Sequence, residues 1–474
     1  MAKNEYDAIV VGSGPNGLAA AITLQRAGQA VLLIEAKETI GGGMRTRELT
    51  LPGFKHDVCS AIHPMAMASP FFADLPLAKY GLDFIQAPLP AAHPFDDGSA
   101  AFLSGSIAET AAALGEDEEA YLKLISPLVN NWEKIAGDIM APLHFPAHPF
   151  LLAQFGWNAV RPANAIAAKF ATKAAKGLWG GMSAHAIQPF SNLTSAAIGL
   201  VLSAVGHKYG WPIPKGGSQS IANALLAYFL DLGGKVETGR MVRSVKELPT
   251  HQVVLFDVTP KQLLQIAGEE LSACYKRQLG RYKQGMGVFK VDWALDGPVP
   301  FTASECSKAA TVHLGNTYEE IALSEQQTAA GIQPEKPFVL FAQQSVFDNT
   351  RAPAGKHTAW AYCHVSNGSE QDMTAAIENQ VERFAPGFKA LILAKHTMNA
   401  RQMEAYNPNY IGGDINGGIV DFSQLYTRPV LRASPYRTSA KRIYICSSST
   451  PPGPGVHGMC GFHAAKTVLK DLFS

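Results

Sequence analysis

Residues 6–35 constrain the fold of this 474-residue chain more than any other part of the sequence. A short apolar run at residues 8–11 has the composition of a buried parallel strand, and residues 18–27 favour a helix. A second apolar run follows at residues 30–34. Between the first strand and the helix, residues 12–17 read Gly-Ser-Gly-Pro-Asn-Gly, which is the G-x-G-x-x-G spacing. This order predicts a strand–helix–strand unit that binds an adenine dinucleotide.

Each of the three glycines in this motif has a distinct structural role. Gly12 permits the tight turn, Gly14 lets the backbone approach a pyrophosphate, and Gly17 lets the helix lie close to the strand. Glu35 ends the second strand, eighteen residues after Gly17. A carboxylate there can accept hydrogen bonds from both hydroxyls of an adenosine ribose and would repel a 2′-phosphate. The predicted cofactor-binding residues of the unit are Gly12, Gly14, Pro15, Asn16, Gly17, Glu35 and Ala36.

A second glycine cluster at residues 41–43 distinguishes between the candidate dinucleotides. An enzyme that binds a nicotinamide cofactor has no need of such a cluster here. An extended FAD does need one, because its phosphates and flavin edge require close approach of the backbone. Arg45 would add positive charge near the pyrophosphate or the flavin. The sequence therefore favours FAD as the cofactor, and the predicted contacts of this segment are Gly42, Gly43, Met44, Arg45 and Thr46.

The segment of residues 42–46 resembles the second motif of the flavin-containing amine oxidase and phytoene desaturase superfamily. Residues 211–245 are similar in their order of elements to the middle segment of that family. Residues 442–472 are similar to its C-terminal strand, turn and helix. The glycine-rich loop at residues 407–418 resembles the phytoene-dehydrogenase-related branch in particular. The resemblance therefore includes both ends and the middle of the chain.

This resemblance implies an α/β fold with a discontinuous, glutathione-reductase-like FAD-binding Rossmann domain. It also implies an α+β substrate domain with a mixed or antiparallel sheet and a helical part. The FAD domain would comprise residues 1–70, 209–284 and 420–474, and the substrate domain residues 71–208 and 285–419. The backbone of Val242 would hold the adenine. The turn before the last helix would face the negative edge of the reduced flavin, through Gly455, Val456, His457, Gly458 and Met459.

In this family the flavin carries out the redox chemistry and the protein positions the substrate. The resemblance thus implies an FAD-dependent oxidoreductase that transfers hydride between flavin N5 and a hydrophobic substrate such as an isoprenoid, a carotenoid or another lipid. His457 and His63 are candidates for a local acid, base or polar anchor, and a structural role is an equal alternative for His457. His56 and Asp57 lie in the same segment as His63, and structural roles are the default for them.

Three other functions stay open at this point. The same site can support redox-neutral isomerisation of a polyene, or oxidation of an amine with oxygen as the acceptor. A flavin-free chaperone that binds lipids is a third alternative, because prenyl-binding proteins share this fold. The glycine pattern and the acid at position 35 argue against the chaperone.

Composition limits the partners and the location of the protein. The formal net charge is +1 and no dense basic run occurs, so nucleic acid is not expected as a partner. Six cysteines are scattered without a Cys-x-x-Cys pair, which argues against disulfides and metal sites. The first strand begins close to residue 1, and no apolar stretch has the length of a membrane span. A cytoplasmic protein is therefore expected, of undetermined oligomeric state.

Residues 160–178 predict a basic amphipathic helix. Apolar residues recur there every four positions, three lysines fall on another face, and Trp157 and Trp179 flank the segment. The default interpretation is a surface helix that covers the core. The alternative is a peripheral membrane contact through residues 157–179 that admits a lipophilic substrate.

Three further runs, at residues 287–295, 337–341 and 357–363, predict strands of the substrate domain. The first of them alternates as a strand with one buried face would. Their large aromatic residues would either line an apolar tunnel or pack in the core, and core packing is the default. These residues are Phe289, Trp293, Phe341, Trp360 and Tyr362.

Overall fold

The computed structural model describes residues 5–425 and 427–474. The strands are β1 (Tyr6–Val11), β2 (Val31–Ile34), β3 (Thr46–Glu48), β4 (Lys55–Asp57), β5 (Phe84–Ile85), β6 (Leu89–Pro94), β7 (Ala100–Leu103), β8 (Ile213–Pro214), β9 (Lys235–Glu237), β10 (His251–Phe256), β11 (Gly287–Leu295), β12 (Ala309–Leu314), β13 (Val339–Ala342), β14 (His357–Val365), β15 (Ile392–Met398) and β16 (Ile443–Ile445). The α-helices are α1 (Pro15–Arg26), α2 (Pro64–Met67), α3 (Pro70–Ala73), α4 (Ile107–Ala113), α5 (Glu118–Ile139), α6 (Pro149–Ala159), α7 (Ala163–Ala167), α8 (Lys173–Ala184), α9 (Ser195–Tyr209), α10 (Gln219–Asp231), α11 (Pro260–Ala267), α12 (Ala273–Leu279), α13 (Ser304–Ser307), α14 (Tyr318–Ala329), α15 (Thr374–Phe384), α16 (Ala400–Tyr406) and α17 (Met459–Val468).

A five-stranded parallel sheet forms the first layer, in the order β16-β10-β1-β2-β9. Strand β1 is its centre, with Val10 opposite Leu255 on one side and Leu33 on the other. All four residues of β2 and the last four of β1 are buried, as expected for a parallel sheet that is covered on both faces. The predicted Rossmann-type fold is confirmed.

The turn between β1 and α1 depends on two glycines. Gly12 has a φ of +103°, in the left-handed region that other residues rarely adopt. A Cβ at Gly17 would lie 1.9 Å from the carbonyl oxygen of Gly12, so only a glycine lets the helix start this close to the strand. Pro15 occupies the first turn of α1, where its missing N–H costs nothing. The strand–helix–strand unit therefore folds as its sequence predicts.

A seven-stranded, mostly antiparallel sheet forms the second layer, in the order β15-β11-β14-β13-β12-β6-β7. The β12–β6 pair is parallel and the other pairs are antiparallel. Strand β11 has the predicted bounds, but all nine of its residues are buried. The expectation that only one face of this strand is buried is wrong, because both faces of the sheet are covered. One face packs in an apolar core and the other turns towards the first sheet.

The strands of both sheets fall within the predicted segments. The parallel sheet draws on residues 1–70, 209–284 and 420–474, and the second sheet on 71–208 and 285–419. Strand β9 ends at Glu237, and residues 238–244 form no strand. The segment boundaries themselves stay a prediction.

The single helix predicted at residues 160–178 is wrong, because two helices, α7 and α8, share this segment. The carboxylate of Asp117 accepts hydrogen bonds from the backbone nitrogens of Ala171 and Thr172, at 2.9 and 2.7 Å, and so interrupts the helical ladder. The side chain of Thr172 then caps α8 by accepting from Ala175 N. Trp179 is buried, and its Nε1 donates to the carbonyl of Ala163 at 3.0 Å. Among the residues that the structure describes, no helix is long and apolar enough to cross a membrane.

Candidate cofactor and substrate site

A cavity of about 390 Å³ is lined by residues of both layers. This size lies within the usual range of small-molecule sites. We call the part lined by the parallel sheet and its loops the nucleotide end. The part lined by β12, β13, β14 and α9, together with His185 and Trp211, is called the sheet end.

The nucleotide end lies at the carboxyl edge of the parallel sheet. Gly12 follows β1, Glu35 follows β2, Asp257 follows β10 and Ser447 comes shortly after β16, and all four line the cavity. Loops at the carboxyl ends of parallel strands meet at one edge, which is where open α/β sheets bind their ligands. The sequence motif and the topology therefore indicate the same place.

Glu35 is surrounded by hydrogen-bond donors. Its Oε1 accepts from the backbone N of Lys37 and from Nη2 of Arg45, both at 2.9 Å. Its Oε2 accepts from the backbone N of Ser13 at 3.1 Å and also from the Ser13 hydroxyl. The expected role of Arg45, to supply charge near the pyrophosphate or the flavin, stays a prediction, and in the structure its guanidinium is paired with Glu35. Arg45 also donates to the carbonyls of Thr39 and Gly42, so it ties the second glycine cluster to the ribose-binding acid.

Asp257 is a buried carboxylate that the sequence reasoning missed as a site residue. Its Oδ2 accepts from the backbone N of Gly17 at 2.9 Å, at the first turn of α1. A Cβ at Gly14 would lie 2.8 Å from the same oxygen, so the glycine motif and this carboxylate occupy neighbouring space. Burial raises the pKa of Asp257 to about 7. An acid directly after the apolar run of residues 253–256 was the signal that could have identified it.

The predicted cofactor residues divide into two groups by position. Six do not line the cavity: Gly17, Met44, Thr46, His457, Gly458 and Met459. Met44 is in the apolar core, and Thr46 instead donates to Asp57 at 2.6 Å. Those that do line it are Gly12, Gly14, Pro15, Asn16, Glu35, Ala36, Gly42, Gly43, Arg45, Val242, Gly455 and Val456.

His457 does not line the cavity, which bears on the catalytic and structural roles that the sequence leaves as equal alternatives. Its Nδ1 accepts from the backbone N of Met459 at 3.0 Å, and its Nε2 lies 3.2 Å from the carbonyl oxygen of Gly453. Both ring nitrogens are therefore used within its own loop. Burial lowers the pKa of His457 to about 4, so the ring is neutral at pH 7. This geometry favours the structural alternative.

His63 does line the cavity, and its tautomer follows from its neighbours. The Ser218 hydroxyl donates its proton to the carbonyl of Ser60 at 2.7 Å. It must therefore accept from Nε2–H of His63, 2.8 Å away, which leaves Nδ1 as a bare acceptor. Nδ1 is buried and has no hydrogen-bond partner among the described residues. Burial lowers the pKa of His63 to about 4, so a neutral ring with one free lone pair lies at the cavity wall.

His56 and Asp57 belong to a buried polar network rather than to the cavity wall. Asp57 forms an ion pair with Arg351, whose side chain is fully buried, and accepts from the backbone N of Ser218 at 2.8 Å. His56 Nδ1 lies 3.7 Å from a carboxylate oxygen of Asp292 on β11. These contacts join β4 to the second layer, and they explain the two residues without a chemical role.

The sheet end is lined mainly by aromatic and aliphatic side chains, several of them from one face of the second layer. Leu340 on β13 lies opposite Tyr362 on β14 and opposite His313 on β12. Trp360 and Tyr362 both line the cavity, with their rings nearly perpendicular at 5.2 Å. The other three aromatic residues considered for a tunnel lie on the opposite face, in a separate core: Phe289, Trp293 and Phe341.

Several lining residues carry no local sequence signal. They come from segments that are far apart in the chain and meet only in the folded protein. The further lining residues include Cys59, Ser60, Ala61, Ile62, Met65, His185, Leu202, Trp211, Thr311, Leu340, Tyr406, Asn409, Tyr410, Ser448 and Ser449.

The residues at the nucleotide end fit FAD. The first turn of α1 contains no acidic residue of its own, although Asp257 already binds the N–H of Gly17 there. A pyrophosphate would therefore meet the remaining backbone donors of the glycine turn. Oδ1 of Asn16 is buried without a partner among the described residues, although Asn16 lines the cavity. The second glycine cluster lies directly beside the first, since a Cβ at Gly42 would be 2.9 Å from the Cα of Gly14. Glu35 and Val242 line the region where the adenosine half would lie.

Known proteins share the Rossmann segment and the overall fold of this chain. Residues 10–75 match the family model of an NAD(P)-binding Rossmann-like domain. The chain is 25% identical to pyridine nucleotide-disulfide oxidoreductase domain-containing protein 2 of Rattus norvegicus, over 99% of this chain and 94% of that protein. An oxidoreductase from Methanosarcina mazei has a TM-score of 0.65 at 15% identity and covers 98% of this chain and 100% of its own. Cyclohexylamine oxidase from Brevibacterium oxydans has a TM-score of 0.61 at 14% identity, and both chains are covered completely.

The narrower resemblance to the phytoene-dehydrogenase-related branch stays a prediction, because these likenesses reach only the common fold. Residues 10–75 belong to a dinucleotide-binding Rossmann domain, and residues of the second layer line the same cavity as its carboxyl edge. The chain therefore has the fold of oxidoreductases of known structure, and FAD is the cofactor that the residues of its nucleotide end fit.

Proposed function

We propose that the protein transfers hydride between FAD and a carbon atom of a mainly apolar substrate. The observation that carries this proposal is the lining of the sheet end. Besides Trp360 and Tyr362 it includes the apolar side chains of Leu202, Trp211 and Leu340. Burying an apolar molecule against such a wall contributes about 25 cal/mol for each Å² removed from water. When bound, FAD supplies the hydride acceptor or donor at its N5.

The chain's own residues bind the substrate and exclude water. Both carboxylates that line the cavity within the described part of the chain, Glu35 and Asp257, lie at the nucleotide end. The sheet end therefore favours a neutral substrate, because a desolvated cation would find no counter-charge there. His63 offers a neutral acceptor at the wall. A substrate such as an isoprenoid, a carotenoid or another lipid fits these properties.

The proposal is tested by anaerobic titration of the purified yellow protein with isoprenoid and fatty substrates. Loss of the oxidised-flavin absorbance is the expected result, together with a dehydrogenated product in mass spectrometry. Conversion of a polyene into its isomer with no net bleaching would favour the isomerase alternative. Colourless protein that releases no FAD on denaturation would favour a flavin-free lipid carrier and would overturn the proposal.

Amine oxidation is the second candidate function, and the similarity to cyclohexylamine oxidase favours it. The same anaerobic titration distinguishes the two, with cyclohexylamine and putrescine set against the apolar substrates. Bleaching by the amines alone would support amine oxidation. The absence of a carboxylate from the described lining of the sheet end leads us to expect the opposite order.

A further inference from the structure

A pair of histidines lies at the sheet end, apart from the three histidines considered above. His185 is the residue that follows α8, and His313 is on β12. Their Nε2 atoms are 2.9 Å apart, and their rings meet edge to face with a centroid distance of 5.1 Å. The ring of Trp211 packs against both, at 5.5 and 6.0 Å. The pair is therefore held in one orientation.

The two rings differ in their access to the cavity. His313 is completely buried, whereas His185 is only partly buried and lines the cavity. The ring of His185 bonds to the described residues through Nε2, and its Nδ1 has no hydrogen-bond partner among them. A Cβ at Gly181 would lie 2.5 Å from Nδ1 of His313, so a glycine in α8 makes room for the buried ring. The helix is thus shaped to admit His313 behind His185.

Tautomerism of the two neutral rings gives the pair two hydrogen-bonding states. Burial lowers the pKa of His185 to about 3 and that of His313 well below its ordinary value, so both rings are neutral at pH 7. One Nε2 must then donate and the other accept. When His185 donates, its Nδ1 is an acceptor. When His313 donates, the Nδ1 of His185 carries the proton and is a donor.

We propose that His185 determines substrate specificity by hydrogen-bonding a hydroxyl or carbonyl oxygen on an otherwise apolar substrate. His313 is the positioning residue that holds the ring and sets its proton. A hydroxyl group can satisfy both states of the pair, and a carbonyl satisfies the donor state. This inference rests on the proposed function and narrows it from apolar molecules in general to apolar alcohols and ketones.

The test measures binding to the oxidised holoprotein through the change in its flavin absorbance. Three probes of equal chain length are used: hexane, 1-hexanol and hexylamine. We expect the alcohol to bind about three- to tenfold more tightly than the alkane, which is the ratio that one hydrogen bond between neutral groups supports. The charged amine should bind more weakly than the alcohol, because no counter-charge lies at this end of the described lining.

His185→Phe should abolish the preference for the alcohol and leave the binding of hexane unchanged. His185→Gln should retain part of the preference, because an amide both donates and accepts. Leu202→Ala is the matched control from the same wall, and it should weaken all three probes alike. His313→Phe should reduce the preference for the alcohol without changing the binding of hexane. If His313 had only a structural role, its loss would weaken the binding of all three probes.

An unchanged alcohol preference in His185→Phe would overturn the inference, as would equal binding of alcohol and alkane by the wild-type protein. The proposed function fails separately, because it requires bleaching of the flavin by substrate and the probe titration does not. Selective alcohol binding without any bleaching would leave the histidine site standing and remove the hydride-transfer proposal.

An independent observation concerns the surface of α6 and the turn before it. Four large apolar side chains are mostly exposed there: Leu143 and Trp157 at 68%, Phe145 at 89% and Phe150 at 90%. Phe150 and Trp157 are seven residues apart on α6, so they lie on the same face of the helix. We call these four residues the apolar ridge. Exposed apolar groups of this kind mark an interaction surface.

Basic residues predominate around the apolar ridge, and the adjacent acid, Asp138, is bound to His144 and to the backbone of Ala147. Residues 139–230 contain no aspartate or glutamate and six lysines or arginines. The guanidinium of Arg161 lies 4.8 Å from the ring centroid of Trp157, and Lys169 Nζ is 2.9 Å from Oδ1 of Asn158 in α6. Cations beside exposed aromatic residues complement the headgroups and acyl chains of an anionic membrane.

The apolar ridge also has a structural connection to the cavity. Helix α6 packs against α9, and Leu202 of α9 lines the sheet end. A molecule that leaves the membrane at the ridge would therefore arrive one helix away from the cavity. The sequence suggests a membrane contact through residues 157–179, but Trp179 is buried. The exposed apolar side chains instead lie within residues 143–157, which is the surface that we consider.

The geometry points to the surface of an anionic bilayer as the occupant of the apolar ridge. Vesicle flotation tests this with phosphatidylglycerol–phosphatidylcholine mixtures and with phosphatidylcholine alone. The wild-type protein should float with the anionic vesicles, less so at high salt, and the triple variant Phe145→Ser, Phe150→Ser, Trp157→Ser should not. The control is Leu323→Ser, Ile332→Ser, which removes two apolar side chains that are 53% and 56% exposed elsewhere, and it should float normally.

Equal flotation of the wild-type protein and the triple variant would overturn the membrane assignment. The membrane assignment would also be overturned if the wild-type protein did not bind vesicles but formed a dimer, and the triple variant did not form that dimer. That second result would assign the apolar ridge to contact between two copies of the chain.

Discussion

The nucleotide end and the sheet end of the cavity are assembled in different ways. At the nucleotide end, contacts come from short contiguous segments at the edge of one parallel sheet, and backbone groups and glycines dominate them. At the sheet end, side chains such as His185, Leu340 and Tyr362 come from three separate segments. Cofactor binding therefore depends on backbone approach, whereas substrate binding depends on side-chain identity. Substitutions at the two ends should separate these properties.

The largest effect is expected for Gly17→Ala. The added Cβ would lie 1.9 Å from the carbonyl oxygen of Gly12, so α1 must move away from β1 and the nucleotide end is lost. We expect protein without bound FAD and a free energy of unfolding lowered by about 2 kcal/mol or more. Gly137→Ala is the matched control, because a Cβ there meets nothing within 4 Å inside α5. Flavin absorbance and denaturant unfolding measure both variants, and a yellow Gly17→Ala protein would contradict the close-approach argument.

Glu35→Gln should weaken FAD binding without changing the preference for substrates. The amide cannot pair with Arg45, and it loses charge-assisted bonds to Ser13 and the ribose hydroxyls. Two hydrogen bonds to a charged group at about 1.5 kcal/mol each amount to about 3 kcal/mol, which predicts a loss of affinity of about a hundredfold. Fluorescence titration of the apoprotein with FAD measures it. Lys37→Ala is the control, since Lys37 contacts Glu35 through its backbone nitrogen.

Leu340→Asp should produce the converse result at the sheet end. A carboxylate there removes apolar contact and faces a wall without a counter-charge in the described lining, so the binding of apolar substrates should weaken about tenfold or more. The affinity for FAD should stay unchanged. The KM of the apolar substrate and the Kd of FAD are the two measurements. A variant that loses both in equal proportion would show that the two ends are not separable.

Asp257 predicts a pH dependence that belongs to the nucleotide end. Burial raises the pKa of this carboxyl from its ordinary value of 3.8 to about 7, so between pH 4 and pH 7 the folded state binds more protons than the unfolded state. The stabilising contribution is fully present below pH 4 and is lost as the pH rises towards 7. In Asp257→Asn this contribution is absent. The difference between the two unfolding free energies of the apoproteins should change by about 1 kcal/mol or more over this range, and a constant difference would contradict it.

The smallest effect is expected for His457→Asn. The ring connects the backbone of Met459 to the carbonyl of Gly453, and its loss should lower the free energy of unfolding by about 1 kcal/mol. Bound FAD and the pH profile of turnover should not change, because the ring does not line the cavity. A fall in kcat with normal stability would restore the catalytic role that the sequence left open. His63→Gln is the informative comparison, since His63 does line the cavity.

Much of the parallel sheet is predictable because its signals are local. The apolar runs of β1 and β2, the glycine turn and the acid at position 35 lie within thirty residues, so short-range sterics determine the unit. The helix at residues 160–178 is not predictable in the same way. It is divided by the carboxylate of Asp117, more than fifty residues away in sequence, which binds the backbone at Ala171 and Thr172. The spacing of apolar residues within a segment does not indicate a contact with a distant residue.

The same distinction applies to the candidate site. By itself, the sequence determines where a dinucleotide binds and that FAD is the one favoured, because backbone approach requires glycine at particular positions. Only the tertiary structure decides that His457 is used by its own loop, that Trp360 and Tyr362 face the cavity while Phe341 does not, and that His185 meets His313. The physical reason is that neighbouring residues of a strand point to opposite faces, and long-range packing selects which face meets the cofactor edge.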